Sequence, residues 1–179
     1  MGTAKQLLPF RGMPLVRYVV QTALAAACSP VVVVLGANSP EVGAAIADLP
    51  VVTVVNENWA AGMGGSIQAG LNALEDCGAD DAILALADQP FVSGSFLQIL
   101  MAERLRTGRK IVAATYSDTV GVPVLFAREA WSLLQALPVE QGCKGVILKN
   151  RADAVLLHCP EAAMDIDTPD DYERALAED

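Results

Sequence analysis

Val31-Val32-Val33-Val34-Leu35-Gly36 is a continuous apolar run, almost wholly β-branched, closed by a glycine. A run this short and this apolar reads as a strand buried on both faces, as in a parallel sheet covered by helices. Residues 50–55 and 82–87 repeat the pattern and read as further buried strands. Residues 110–115 and 123–126 are shorter candidates, and residues 154–158 are expected at a sheet edge. Helical stretches alternate with them at 13–27, 39–47, 66–74, 95–106 and 128–137. Ser39 is placed to cap the second helix with Pro40 in its first turn. A last helix is expected from Thr168 as cap, with Pro169 behind it and Asp170 and Asp171 favourable to its dipole. The alternation predicts an α/β fold with a doubly wound, mostly parallel sheet.

The 179 residues suit one domain, and the reading assigns 1–179 to it. With 53% hydrophobic and 18% charged residues the chain is expected to fold around a real core. The net charge of −9, without a basic face, argues against a nucleic-acid partner. Any polyanion must then be met by a few placed cations or a metal. No apolar run is long enough to span a bilayer, and the first residues lack a signal-peptide core, so no membrane partner and a cytoplasmic location are expected. Cys28, Cys77, Cys143 and Cys159 are scattered, which predicts free thiols and no metal-site spacing.

Three segments carry chemistry. In Ala87-Asp88-Gln89-Pro90 an acidic residue ends an apolar run and a proline breaks it. Ligands of open α/β sheets bind at the carboxyl ends of strands, where Asp88 could hold Mg²⁺ beside phosphates. In Asn58-Trp59-Ala60-Ala61-Gly62-Met63-Gly64-Gly65-Ser66 the glycines let the backbone approach a ligand, and a helix start follows. In Met164-Asp165-Ile166-Asp167 the two carboxylates share one face if extended. A divalent ion becomes expected if Asp165 or Asp167 meets Asp88, since two unpaired carboxylates would repel. Near the start, Lys5 and Arg11 are candidate countercharges to a triphosphate. No G-x-G-x-x-G follows a strand, which disfavours a nicotinamide-dependent oxidoreductase.

Together these strings resemble the molybdenum cofactor cytidylyltransferases, nucleotidyltransferases similar to the molybdenum cofactor guanylyltransferases. The matching stretches are MGTAKQLLPFRGMPLVRYVV (1–20), NENWAAGMGGSIQAGL (56–71), LADQPFV (86–92), GVPVLF (121–126) and DIDTPDDYERAL (165–176), in family order. The resemblance implies a Rossmann-like nucleotidyltransferase fold, Mg²⁺ as cofactor, and transfer of CMP from CTP to the molybdenum–molybdopterin cofactor with release of pyrophosphate. Lys5 and Gly2 would meet the triphosphate, and Gly62, Met63, Gly64, Gly65 and Ser66 would lie against the nucleoside. Asp88 and Asp167 would hold the metal, with Asp165 in reserve. A molybdoenzyme or its chaperone is an expected partner. Relatives begin with a strand and a Leu-Ala-Ala-Gly-x-Ser-x-Arg loop, of which only Met1 and Gly2 match here, so the sheet is expected to lack its first strand and glycine-rich loop. Val122 replaces a histidine common in relatives. The alternatives are a catalytically inactive cofactor-binding chaperone or scaffold, and a nucleotidyltransferase using another nucleotide or a sugar-phosphate acceptor.

Overall fold

The computed structural model describes residues 4–178, and Gly2 lies outside the described residues. Its centre is a four-stranded sheet in the order β5-β7-β6-β8. The strands are β5 (Asp81–Leu84), β6 (Ile111–Tyr116), β7 (Thr119–Ala127) and β8 (Ala154–His158). β6 and β8 pair in parallel, while β7 runs antiparallel to both its neighbours, so β5 and β6 point the same way. β8 is the expected edge strand, with the expected bounds.

Alternation along β6 decides how the sheet is covered. Ile111 and Ala113 face one core with Val124 and Phe126 of β7. That core is closed by Ile67 and Leu71 of α3 (Met63–Asp76), Leu134 of α5 (Trp131–Gln135) and Ile147 of α6 (Lys144–Lys149). Val112 and Ala114 face the other side, against Leu97 and Leu100 of α4 (Gly94–Thr107). Helices thus cover both faces, which gives the doubly wound arrangement. Phe126, Leu134 and Ile147 are fully buried, each worth roughly 1.5–3 kcal/mol of transfer from water.

Beyond the cap of α2 (Ser39–Ala44), which is Asn38 and not Ser39, two expectations need correction. The run at residues 31–36 forms β3 (Val32–Leu35), but it is half-buried, and among the described residues the strand pairs only with β4 (Val52–Val55), in parallel. β4 is largely exposed, with Val55 47% accessible. Neither β3 nor β5 has a strand on its remaining edge among the described residues. Instead of a strand, α3 lies across both, with Gly70 against Val34 and Leu71 among the core residues of the larger sheet. The second correction concerns residues 13–27, expected as one helix. A hairpin of β1 (Pro9–Phe10) and β2 (Met13–Pro14) comes first, turning at Arg11 and Gly12, both at positive φ. Only then does α1 (Leu15–Ala25) begin, packing with Val42 of α2 (Ser39–Ala44) against β3. The final helix, α7 (Pro169–Ala177), starts as expected, with a reciprocal capping box between Thr168 and Asp171. No helix among the described residues is long and apolar enough to cross a membrane.

Candidate active site

Asp88 stands in the loop beyond the carboxyl end of β5, and Asp167 in the segment that runs from β8 into α7. Two hydrogen bonds join these stretches, and one buried side chain anchors the second of them. The Ile166 amide donates to the Asp88 carbonyl at 2.9 Å. The Ile166 side chain is 1% exposed and packs with Phe10, Leu15 and Ala175. The buried Gln89 side chain donates through Nε2 to the Ala162 carbonyl at 2.7 Å. The result is a strap, residues 159–168, tied down across the loop that carries Asp88.

Lys5 reaches into the junction from a short 3-10 turn, Lys5–Leu7. Its Nζ donates to Asp88 Oδ2 at 2.5 Å and to Asp167 Oδ1 at 2.7 Å. Burial disfavours the ammonium charge, but hydrogen bonds to Asp167 and Asp88 outweigh it and raise the Lys5 pKa above its ordinary value. Asp88 is the more enclosed carboxylate, and its Oδ1 is buried without a hydrogen-bond partner among the described residues. A buried carboxylate oxygen left unpaired is costly unless something else meets it.

Asp165 does not join the pair. It is exposed, and it lies near Tyr116, whose phenol is pushed up by burial and further by the Asp165 charge. No group of three or more metal-binding side chains forms among the described residues. Arg11 places its guanidinium 5.4 Å from the ring centres of both Phe10 and Tyr18 and donates to the Tyr18 hydroxyl at 2.6 Å.

The glycine segment also differs from its reading as a loop. The helix starts at Met63, so Gly64, Gly65 and Ser66 occupy its first turn, with Gly62 as cap at φ 134°. A Cβ on Gly64 would lie 2.4 Å from the Pro138 carbonyl oxygen, and one on Gly62 would lie 2.5 Å from that of Val139. These two glycines are therefore required by the 138–141 backbone packed against them. Only Gly65 has ordinary room, its Cβ position being 3.5 Å from Asn56 Nδ2. Asn56, which the sequence reading passed over, is buried and donates to Ser66 Oγ at 3.0 Å, tying the end of β4 to the first turn of α3. Its position immediately after an apolar strand and ahead of the glycines was the available signal. Trp59, in the same segment, is 49% exposed beside Gly36.

All four cysteines are free thiols, as expected. Burial pushes Cys143 and Cys159 up to about 11, so neither is a nucleophile at neutral pH. A cavity of about 260 Å³ adjoins the strap, lined by Phe91, Phe96, Ile99, His158, Pro160 and Glu161 among others.

Comparison with known proteins agrees with this architecture. The model of the MobA-like NTP transferase domain matches residues 1–155. Nicotine blue oxidoreductase of Paenarthrobacter nicotinovorans is 41% identical over 114 residues, 64% of this chain and 54% of that protein. Purine catabolism protein PucB of Bacillus subtilis (strain 168) is 27% identical over 115 residues, 63% of this chain and 55% of that protein. The chain thus spans about half the length of the curated relatives it matches. Rv0371c of Mycobacterium tuberculosis H37Rv, solved in complex with manganese, superposes with a TM-score of 0.82 at 28% identity, covering 98% of this chain and 92% of that one.

Proposed function

The chain belongs to the MobA-like NTP transferase domain family, and from that premise we propose that it transfers CMP from CTP to the molybdenum–molybdopterin cofactor and releases pyrophosphate. The observation that carries the reading is the convergence of Lys5, Asp88 and Asp167 at one point. In this reaction a phosphate oxygen of the acceptor forms a bond to the α-phosphorus as the bond to the β-phosphate breaks. The leaving group is pyrophosphate, and no protein nucleophile is needed. Catalysis is positioning and charge neutralisation.

The donor set fits a hard divalent cation such as Mg²⁺. Two carboxylates already share one cationic partner, and Asp88 Oδ1 is buried and unpartnered among the described residues. Asp88 and Asp167 would hold the ion, which neutralises phosphate charge when bound. Lys5 supplies a compact positive charge for the triphosphate. At the start of α3 the Gly64 amide is taken by the Val139 carbonyl at 2.9 Å, which leaves the amides of Met63 and Gly65 to meet the nucleoside or a phosphate oxygen. The choice of cytidine rests on the resemblance of the sequence motifs.

The test is calorimetric titration with CTP and Mg²⁺, with GTP and ATP as competitors, followed by pyrophosphate release in the presence of molybdopterin-loaded acceptor. Absence of any CTP binding sinks the proposal, and preferential binding of GTP reassigns the nucleotide. A second reading has one observation in its favour, the 41% identity to a relative named as an oxidoreductase. In that case the same fold would bind a redox dinucleotide. Quenching of reduced nicotinamide fluorescence by the protein, with no response to CTP, would decide for it.

A further inference from the structure

Two carboxylates, 83 and 162 residues from Lys5 in the chain, are joined by its single ammonium. The two acids carry two negative charges and the ammonium offers one positive charge. Its Nζ lies within 2.7 Å of one oxygen from each acid, which is where an ion shared between them would sit. An ammonium and a divalent ion cannot both hold that position. The two sides of the contact are also unequally anchored. Asp88 and Asp167 stand on the strap and loop that Ile166 and Gln89 lock together. Lys5 extends a four-carbon stem from a three-residue turn that has no buried residue. Of the three groups, Lys5 is the one that moves at least cost.

We propose that Lys5 is an exchangeable plug: in the nucleotide-free protein its ammonium fills the cation position between Asp88 and Asp167 and keeps divalent ions out. The proposal rests on the nucleotidyltransferase reading for its trigger, a polyphosphate that offers Lys5 a competing set of oxygens. Once the ammonium turns to the phosphates, the two acids are left facing each other and a divalent ion fills the space. Metal and triphosphate then bind cooperatively although each binds weakly alone. Linkage makes the effect reciprocal: the factor by which the nucleotide tightens the metal is the factor by which the metal tightens the nucleotide. A fixed structural salt bridge at Lys5 would give no such coupling.

The experiment measures Mn²⁺ binding to the full chain, without nucleotide, from the loss of the free-ion electron paramagnetic resonance signal. Lys5→Met is expected to bind Mn²⁺ at least tenfold tighter than wild type. Lys5→Arg, which keeps a cation there, should stay close to wild type. Lys110→Met, at the far end of β6, removes the same charge at a distance and should change nothing. Equal Mn²⁺ affinity for wild type and Lys5→Met overturns the plug, as does an equal gain in Lys110→Met. Should Lys5→Met fail to fold, the wild type itself answers. Saturating Mn²⁺ alone must raise amine acylation of Lys5 relative to Lys110, and unchanged protection of Lys5 overturns the proposal. If wild type ignores CTP while Lys5→Met still gains Mn²⁺ affinity, the functional reading falls and the plug stands.

Discussion

The main-chain N–H of Ile166 donates to the carbonyl oxygen of Asp88 at 2.9 Å, and of the contacts that tie the two stretches it is the one nearest to both Asp88 and Asp167 in the chain. The Ile166 side chain enforces it from below, buried against Phe10 and Leu15.

Truncating that side chain should therefore act on stability and on the site together. Ile166→Ala is expected to cost about 2–5 kcal/mol, as buried isoleucine truncations do. Urea unfolding reads the loss. Nucleotide binding should weaken even at temperatures where the variant stays folded. A folded Ile166→Ala with unchanged nucleotide affinity would show that the strap does not position Asp167.

The three acids should separate by function. Asp88→Asn and Asp167→Asn are each expected to lower pyrophosphate release by roughly 100-fold or more, the scale for removing a preorganised electrostatic group. Asp165→Asn should stay within about two- to threefold, the equivalent of the ±0.5 kcal/mol typical of surface changes. A large loss at Asp165 would move the cation position toward Tyr116.

Neighbouring glycines in the first turn of α3 should respond in opposite ways. Gly64→Ala places a Cβ 2.4 Å from the Pro138 carbonyl oxygen, which is backbone and cannot turn aside. About 1–3 kcal/mol of destabilisation is expected. Gly65→Ala meets only an ordinary contact and should be neutral or stabilising by up to about 1 kcal/mol, since alanine is the better helix former. Thermal melting separates the two, and a CTP titration of Gly65→Ala then reports whether a ligand needs close approach at that turn.

The cap of α7 makes an acid-sensitive contact. Hydrogen bonds from the Thr168 hydroxyl and amide, with Arg174 beside them, hold the Asp171 carboxyl down at about 2 against an ordinary 3.8. A depressed carboxyl pKa stabilises the fold above the ordinary value, and that contribution fades as pH falls through about 2. Thr168→Ala removes the hydroxyl and should cost about 1 kcal/mol near neutral pH. It should also raise the Asp171 pKa toward 3.8, so that the cap is lost at higher pH. Carboxyl NMR titration of both proteins measures the shift, and identical curves would reject the assignment.

How much of this was legible depends on whether the cause was local. The edge strand at residues 154–158 and the cap at Thr168 follow from short-range pattern and chemistry, and both stand where they were read. Residues 62–66 read as a loop because glycines favour loops. They open a helix because the backbone of residues 138–141, more than seventy positions away, packs where side chains would be. The hairpin before α1 escaped notice because its strands are two residues each, and a proline sits in both. At the site, the residue types Lys5, Asp88 and Asp167 were readable. That the lysine would stand between the acids was not, since nothing in sequence order ties position 5 to positions 88 and 167.

The two-stranded pair of β3 and β4 is joined to the larger sheet chiefly through α3, with no ladder hydrogen bonds across the divide among the described residues. A pair tied so lightly is expected to exchange its amide hydrogens at less than the global unfolding free energy. The helix that carries the glycine turn is thus the main bridge between the two sheets. Any ligand that grips both the first turn of α3 and the Asp88 loop would draw the two sheets into a single unit of stability.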